Sequence, residues 1–382
     1  MAAALAKLGL DQLRQQGAPA RSAAFNAVVS PLSLASALGM LHAATRDAGA
    51  RELASLLGTP TDGERIYESA LPALLRRAVK AGEAGAGLVS ANRVWTNESI
   101  AANVTASYAA ALKERFAGDV ASVSFGQAAK ASRTINDWVS LKTAGRITQL
   151  VTAGALSSDT QVVVTNAIHF NGQWAQPFAP AAPVPFHLPD GVTRDVPTLV
   201  GERELRFAHL DGALVIELPF AGTSLSLLVG VPPVGRSLQQ FEAELKGLDI
   251  AGWSARLGQP SLCFLYLPKF DLAPVIQDLT PALQALGVKT LFGAGADLTP
   301  MLGSAGRGVK LHAVLQSATL KIDEKGGEAA AATAARTLSV GPAAARPPTP
   351  LCAVDRPFLF MLMHGPSGTP LFMGQVVDPS LR

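Results

Sequence analysis

The side chains that most often carry chemistry are scattered in this chain. His42, His169, His187, His209, His312 and His364 show no metal-ligand spacing. Neither Gly-x-Ser-x-Gly, Gly-x-x-x-x-Gly-Lys nor His-Glu-x-x-His occurs, so hydrolase, nucleotide-binding and zinc-protease readings have no anchor. Cys263 and Cys352 are too few for a disulfide framework. They read as buried or half-buried free thiols, with a mutual disulfide or a catalytic thiol as minor readings. Arg76, Arg77 and Lys80 form a small basic group on a helix and read as a solvated face. The segment that breaks the globular pattern is Lys325-Gly326-Gly327-Glu328-Ala329-Ala330-Ala331-Ala332-Thr333-Ala334-Ala335-Arg336-Thr337-Leu338-Ser339-Val340-Gly341-Pro342, with a Pro-rich stretch to Pro350. A connection of about 30 residues without core-forming pattern is usually functional or disordered. Taken alone it reads as a flexible linker or a short exposed helix, alanine being the best helix former. Two features resist that reading. The glycine pair sits where a strand ends, which makes a hinge possible. The small, almost uncharged residues that follow suit a segment that must enter a crowded sheet. Alanine has poor strand propensity, so such an entry would be driven by ladder hydrogen bonds and by strain relieved elsewhere.

The flanking elements are strands. In Ala318–Glu324, Leu320 and Ile322 alternate with Thr319, Lys321 and Asp323, the pattern of a half-buried strand. Phe358–Met363 and Leu371–Val377 are predicted strands joined by Gly365–Gly368. Gln161–Phe170 holds Val162-Val163-Val164, a β-branched run that fits a strand covered on both faces. Leu88–Trp95 and Leu262–Phe270 are further strands, and Leu214–Pro219 with Leu225–Val231 forms a hairpin around Gly222-Thr223. Helices gather in the first 150 residues. The first is amphipathic with Leu5, Leu8 and Leu13 inward. Pro31–Leu57 reads as two helices, the first capped by Ser30 with proline in its first turn, the second stopping at Gly58. Tyr67–Lys80 is another, and Ala128–Leu150 contains a long one with Ile135, Trp138, Val139 and Leu141 as its apolar stripe. This distribution predicts an α+β fold with one merged core.

With 382 residues and 48% apolar content the chain can bury a large core. A formal charge of +3 argues against nucleic-acid or polyanion binding, which needs a concentrated basic face. Mean hydropathy is +0.26, yet no stretch of 18 or more apolar residues is free of charge or proline, so no membrane span is expected. Met1–Leu10 lacks a basic leader, a long apolar core and a cleavage site.

The segment Lys321-Ile322-Asp323-Glu324-Lys325-Gly326-Gly327-Glu328-Ala329-Ala330-Ala331-Ala332-Thr333 resembles the proximal hinge of inhibitory serpins. Val28-Val29-Ser30-Pro31-Leu32-Ser33 is similar to the family's Phe-Ser-Pro-x-Ser, with Val29 replacing Phe. Further likenesses follow in family order: Ala91–Trp95, Ile135–Val139 with Thr143–Ile147, Thr165–Trp174, Glu217–Phe220, Leu267–Phe270, Asp355–Phe358 and Phe372–Val376. Each is weak alone; together they run from Ser30 to Pro379.

The resemblance implies a serpin fold over residues 1–382 as one domain. Its parts would be an N-terminal helical region, a large mixed main β-sheet, a C-terminal β-barrel region and an exposed reactive loop at about 325–350. It implies a suicide-type inhibitor of serine endopeptidases, not an enzyme. A protease cuts the loop and is held as an acyl-enzyme while the loop inserts into the main sheet, released strain driving the switch. About 16 inserted residues at roughly 3.3 Å each would carry the protease on the order of 50 Å. The alternative is a non-inhibitory serpin acting as carrier, chaperone or storage protein; Ala329–Ala332 has the inhibitory composition. Counted in the family manner from Glu324, the scissile bond is Val340–Gly341. A small β-branched residue there favours an elastase-like or subtilisin-like protease, with Leu338, Arg336 and Arg346 as competing positions. In the family's register Gly327, Ala329, Ala331, Thr333 and Ala335 would face the core side. Ser30, Ser33, Asn166 and Gln316 match the family's shutter, where strands must part; Gln316 stands where His is common and cannot become cationic. Trp174, Lys269 and Glu324 match the breach at the top of the sheet. No cofactor and no metal are implied, the expected state is a monomer, and the expected location is extracellular or periplasmic.

Overall fold

The computed structural model describes residues 1–17, 25–80, 87–274, 276–327 and 348–381. Ten helices matter here. They are α1 (Ala2–Gly17), α2 (Pro31–Ala44), α3 (Asp47–Ser55), α4 (Pro60–Arg65), α5 (Leu71–Lys80), α6 (Glu98–Ala101), α7 (Ala106–Phe116), α8 (Ala128–Lys142), α9 (Leu238–Glu244) and α10 (Gly247–Arg256). The strands are β1 (Ala27–Val29), β2 (Gly87–Asn97), β3 (Gly118–Val123), β4 (Val162–Asn171), β5 (Val184–His187), β6 (Thr193–Val196), β7 (Thr198–Leu210) and β8 (Ala213–Pro219). They continue with β9 (Leu225–Val231), β10 (Ser261–Pro268), β11 (Phe270–Leu272), β12 (Gln277–Asp278), β13 (Leu311–Ile322), β14 (Leu351–Ala353), β15 (Phe358–His364) and β16 (Thr369–Val376). The fold is α+β, with helices beside a large mixed sheet. Among the described residues no helix is long and apolar enough to cross a membrane.

That mixed sheet runs β11-β13-β4-β2-β3, with β12 also on β13. β13 and β4 are parallel neighbours from Leu311 and Val162 to Thr319 and His169. β4 is buried from Val162 to Phe170 because both its faces are covered. Val162, Val164 and Ile168 join the core that contains Leu34, Leu38 and Leu41 of α2. Val163 and Ala167 join the core that contains Ile135 and Val139 of α8. Strand alternation therefore puts Asn166, which shares the parity of Val164 and Ile168, on the α2 side. α2 starts as expected: Ser30 accepts the Ser33 amide at 3.1 Å and Pro31 occupies the first turn.

Three expectations need correction. Leu141 is 79% exposed and leaves the α8 stripe. It lies six positions after Ile135, on the opposite side of a 3.6-residue helix from Val139. The strand expected over Leu262–Phe270 is two strands that break at Lys269, where β10 leaves one sheet and β11 joins the other. The expected C-terminal barrel does not close among the described residues. Eight strands form an open sheet, β1-β16-β15-β9-β8-β7-β10-β14. Long β7 pairs β10 through its first half and β8 through its second, so the sheet fans out rather than meeting itself.

Candidate functional site

Ser30, Ser33, Asn166 and Gln316 converge in one buried polar cluster between α2 and the β4–β13 seam, each at most 1% exposed. Gln316 and Asn166 are register partners. Gln316 Nε2 donates to Asn166 Oδ1 at 3.2 Å and to the Ser30 carbonyl at 3.4 Å. Asn166 Oδ1 also accepts from Ser33 Oγ, while its Nδ2 donates to the Ser33 carbonyl at 3.0 Å and to Asn92 Oδ1. Every donor and acceptor of the Asn166 amide is thereby used. Ser30 contributes its carbonyl; its hydroxyl points instead to β16, donating to the Leu371 carbonyl at 2.7 Å.

Sequence reasoning missed three members. Gln12 of α1 donates to Gln316 Oε1 at 2.6 Å and to Gln277 Oε1 at 3.0 Å, and its own Oε1 is buried without a hydrogen bond. Asn92 of β2 closes the far side, donating to the Phe116 carbonyl at 3.1 Å. A signal existed for Gln12: it follows Leu5 and Leu8 at helical spacing, a polar residue on the inward face. Nothing in the sequence marked Gln277.

The second cluster lies at the end of β13. Asp323–Gly326 is a tight turn, with the Asp323 amide donating to the Gly326 carbonyl at 2.9 Å and the Gly326 amide returning to Asp323 O at 3.2 Å. Gly326 has φ +132°, and a Cβ there would lie 2.1 Å from the Gly172 carbonyl oxygen, so only glycine fits. A strap from Gln173 to Phe178 holds the turn: the Trp174 amide donates to Lys325 O and the Phe178 amide to Glu324 O, both at 2.8 Å. Trp174 Nε1 donates to Asp323 O at 2.8 Å, and its ring stacks on Phe220. Lys269 and Glu324 meet at 2.7 Å. Burial alone would raise the Glu324 carboxyl pKa; the hydrogen bond from Lys269, a backbone hydrogen bond and the charges of Lys269 and Lys321 together outweigh it and hold the pKa below the usual glutamate range. Trp174 thus grips the turn's backbone rather than this ion pair. Of the hinge residues, Gly327 is buried against Phe170, 3.1 Å from where a Cβ would sit. Glu328, Ala329, Ala330, Ala331, Ala332, Thr333 and the bond Val340–Gly341 lie outside the described residues.

The family model described as Serpin (serine protease inhibitor) matches residues 3–379. The chain belongs to the serpin family. This serpin is 31% identical over 359 residues to "Serine protease inhibitor 42Dd" of Drosophila melanogaster, covering 93% of the chain and 91% of that relative. It is 30% identical over 371 residues to "Leukocyte elastase inhibitor" of Equus caballus, covering 93% of each. A solved structure of Serpin48, described as a highly specific serpin in the insect Tenebrio molitor, superposes with a TM-score of 0.85 at 26% identity, covering 98% of the chain and 97% of that one. Both curated relatives are named as inhibitors. The names of these relatives lend no support to the extracellular or periplasmic location expected above.

Proposed function

We propose that this serpin is a suicide-type inhibitor of serine endopeptidases. It would trap the protease as an acyl-enzyme by inserting the cleaved loop between β4 and β13, the whole chain acting as one monomeric domain. The observation that carries this reading is the arrangement of the seam. β13 and β4 are paired directly, with no described strand between them, and the chain turns out of the sheet at Asp323–Gly326 immediately above that seam. An arriving strand must part the seam at Gln316–Asn166 and release the turn held by Trp174 and Lys269. The first cluster is the shutter and the second the breach. The Val340–Gly341 bond is the proposed target, and its small β-branched residue suits an elastase-like or subtilisin-like protease; the elastase-inhibitor relatives agree with that preference.

The test is incubation with elastase, subtilisin, chymotrypsin and trypsin, followed by denaturing electrophoresis and mass spectrometry of the released peptide. A denaturant-resistant complex with elastase or subtilisin, cut after Val340, is expected. Quantitative cleavage with no complex for any of the four would overturn the reading.

A further inference from the structure

Between the Gln173–Phe178 strap, β7 and the end of β8 lies a cavity of about 50 Å³, walled by Trp174, Phe178, Leu205, Leu218, Pro219 and Arg203. The strap is fixed around it on both sides. The Ala175 amide donates to the Pro219 carbonyl and Arg203 Nη2 to the Pro177 carbonyl, both at 3.0 Å. One ordered water takes up roughly 10–15 Å³ in such a cavity, so this one admits a group of a few heavy atoms.

The walls are apolar except at Arg203. Arg203 shares strand parity with Leu199 and Leu205, both buried in the core, so its side chain leaves β7 on the inner side. Glu202 and Glu204 take the opposite face. The guanidinium lies 4.3 Å over the Phe178 ring, and a Cβ at Gly201 would stand 3.1 Å from Nη1, so that glycine makes room for it. Nη1 donates to the Glu202 carbonyl at 2.7 Å. Nε is buried and has no hydrogen-bond partner. Among the described residues this cation therefore has a ring and two carbonyls as partners, and no carboxylate. A desolvated donor on an unneutralised charge is costly. A charge-assisted bond to an anion answers both deficits.

We propose that this cavity is a binding site for a small monocarboxylate with a short aliphatic tail, the carboxylate on Arg203 and the tail between Trp174, Leu205 and Leu218. Phosphate and sulfate would bury charged oxygens against hydrocarbon, so the walls disfavour them. A long chain exceeds the volume.

Occupancy has a functional consequence, which rests on the inhibitory reading. The ligand bridges the strap to β7 and β8, and the strap carries the Asp323–Gly326 turn through Trp174 and Phe178. A ligand that binds only the closed arrangement stabilises it by mass action. Opening of the breach slows, and with it spontaneous loss of the trapping-competent form.

Butyrate is titrated into the full chain and followed by saturation-transfer NMR, with butyramide and chloride as controls at equal ionic strength. Saturable butyrate binding with a dissociation constant on the order of 1 mM is expected, and none for butyramide. Arg203→Gln removes the charge, and Leu218→Phe fills the cavity with Arg203 in place; each is expected to weaken binding about ten-fold or more. Absence of saturable binding, equal affinity for butyramide, or unchanged binding in folded Leu218→Phe overturns the site. In the second readout, wild type warmed with saturating butyrate is expected to hold its trapping capacity several-fold longer than with chloride, and Leu218→Phe to show no difference. Equal lifetimes overturn the link to the breach. Butyrate binding by a chain that traps no protease sinks the inhibitor reading and leaves the site standing.

Discussion

Gln316 and Asn166 are strand neighbours and side-chain partners at the same time: they face each other across the β13–β4 ladder, and their amides are bonded at 3.2 Å. Side-chain bonds therefore reinforce the main-chain ladder at one level of a seam that runs from Leu311 to Thr319. Asn166 alone serves Ser33, Asn92 and Gln316. Asn166→Ala strands several buried partners, each costing about 1–3 kcal/mol when left unsatisfied. A loss of about 2–4 kcal/mol is expected, read as a lower denaturant midpoint. A change within experimental scatter would mean the cluster is slack.

Gln12 ties α1 to the same seam through Gln316 Oε1. Gln12→Leu removes an orphaned acceptor as well as a donor, so the net loss should be smaller, on the order of 1 kcal/mol. Its effect should be non-additive with Gln316→Leu, since both delete one hydrogen bond. A double-mutant cycle in urea measures this; strict additivity would show that α1 and the seam are uncoupled.

Gly326→Ala places a methyl against the Gly172 carbonyl at a backbone angle that L residues rarely adopt. A cost of about 1–3 kcal/mol is expected, with faster proteolysis near Asp323. Gly327→Glu is a less clean probe of insertion than Ala331→Arg, because Gly327 already packs against Phe170 before any cleavage.

Ala331→Arg tests the inserted register. A buried unpaired charge is costly, so the variant should be cut as a substrate with no covalent complex, while its melting temperature before cleavage stays that of wild type. Full yield of the complex would rule out an inward-facing Ala331.

Glu324 carries a pH signature. Its folded-state pKa is depressed, so its stabilisation is fully present above the ordinary glutamate range and is lost as pH falls through the lower folded value. The pair is partly exposed, so its worth is about 1 kcal/mol or less. The melting-temperature gap between wild type and Glu324→Gln should be open at neutral pH and close below about pH 4. A gap that widens in acid would have the wrong sign for this ion pair.

Sequence alone determined what depends on near neighbours in the chain. The Ser30–Pro31 helix start, the doubly covered Val162–Val164 strand, the Gly222 hairpin and the glycine where β13 ends follow from capping, a continuous β-branched run and backbone freedom, all local effects. The ordered likenesses along the chain added the family. Tertiary structure decided what depends on residues brought together from far away. It set Leu141 outside the stripe, broke the strand at Lys269 between two sheets, and left the eight-stranded sheet open. It recruited Gln12, Asn92 and Gln277 to Asn166 and Gln316, and set Cys263 and Cys352 on adjacent strands. A polar side chain's partner is chosen by where strands and helices dock, and strand register, unlike helix period, is fixed only when the partner strand is in place.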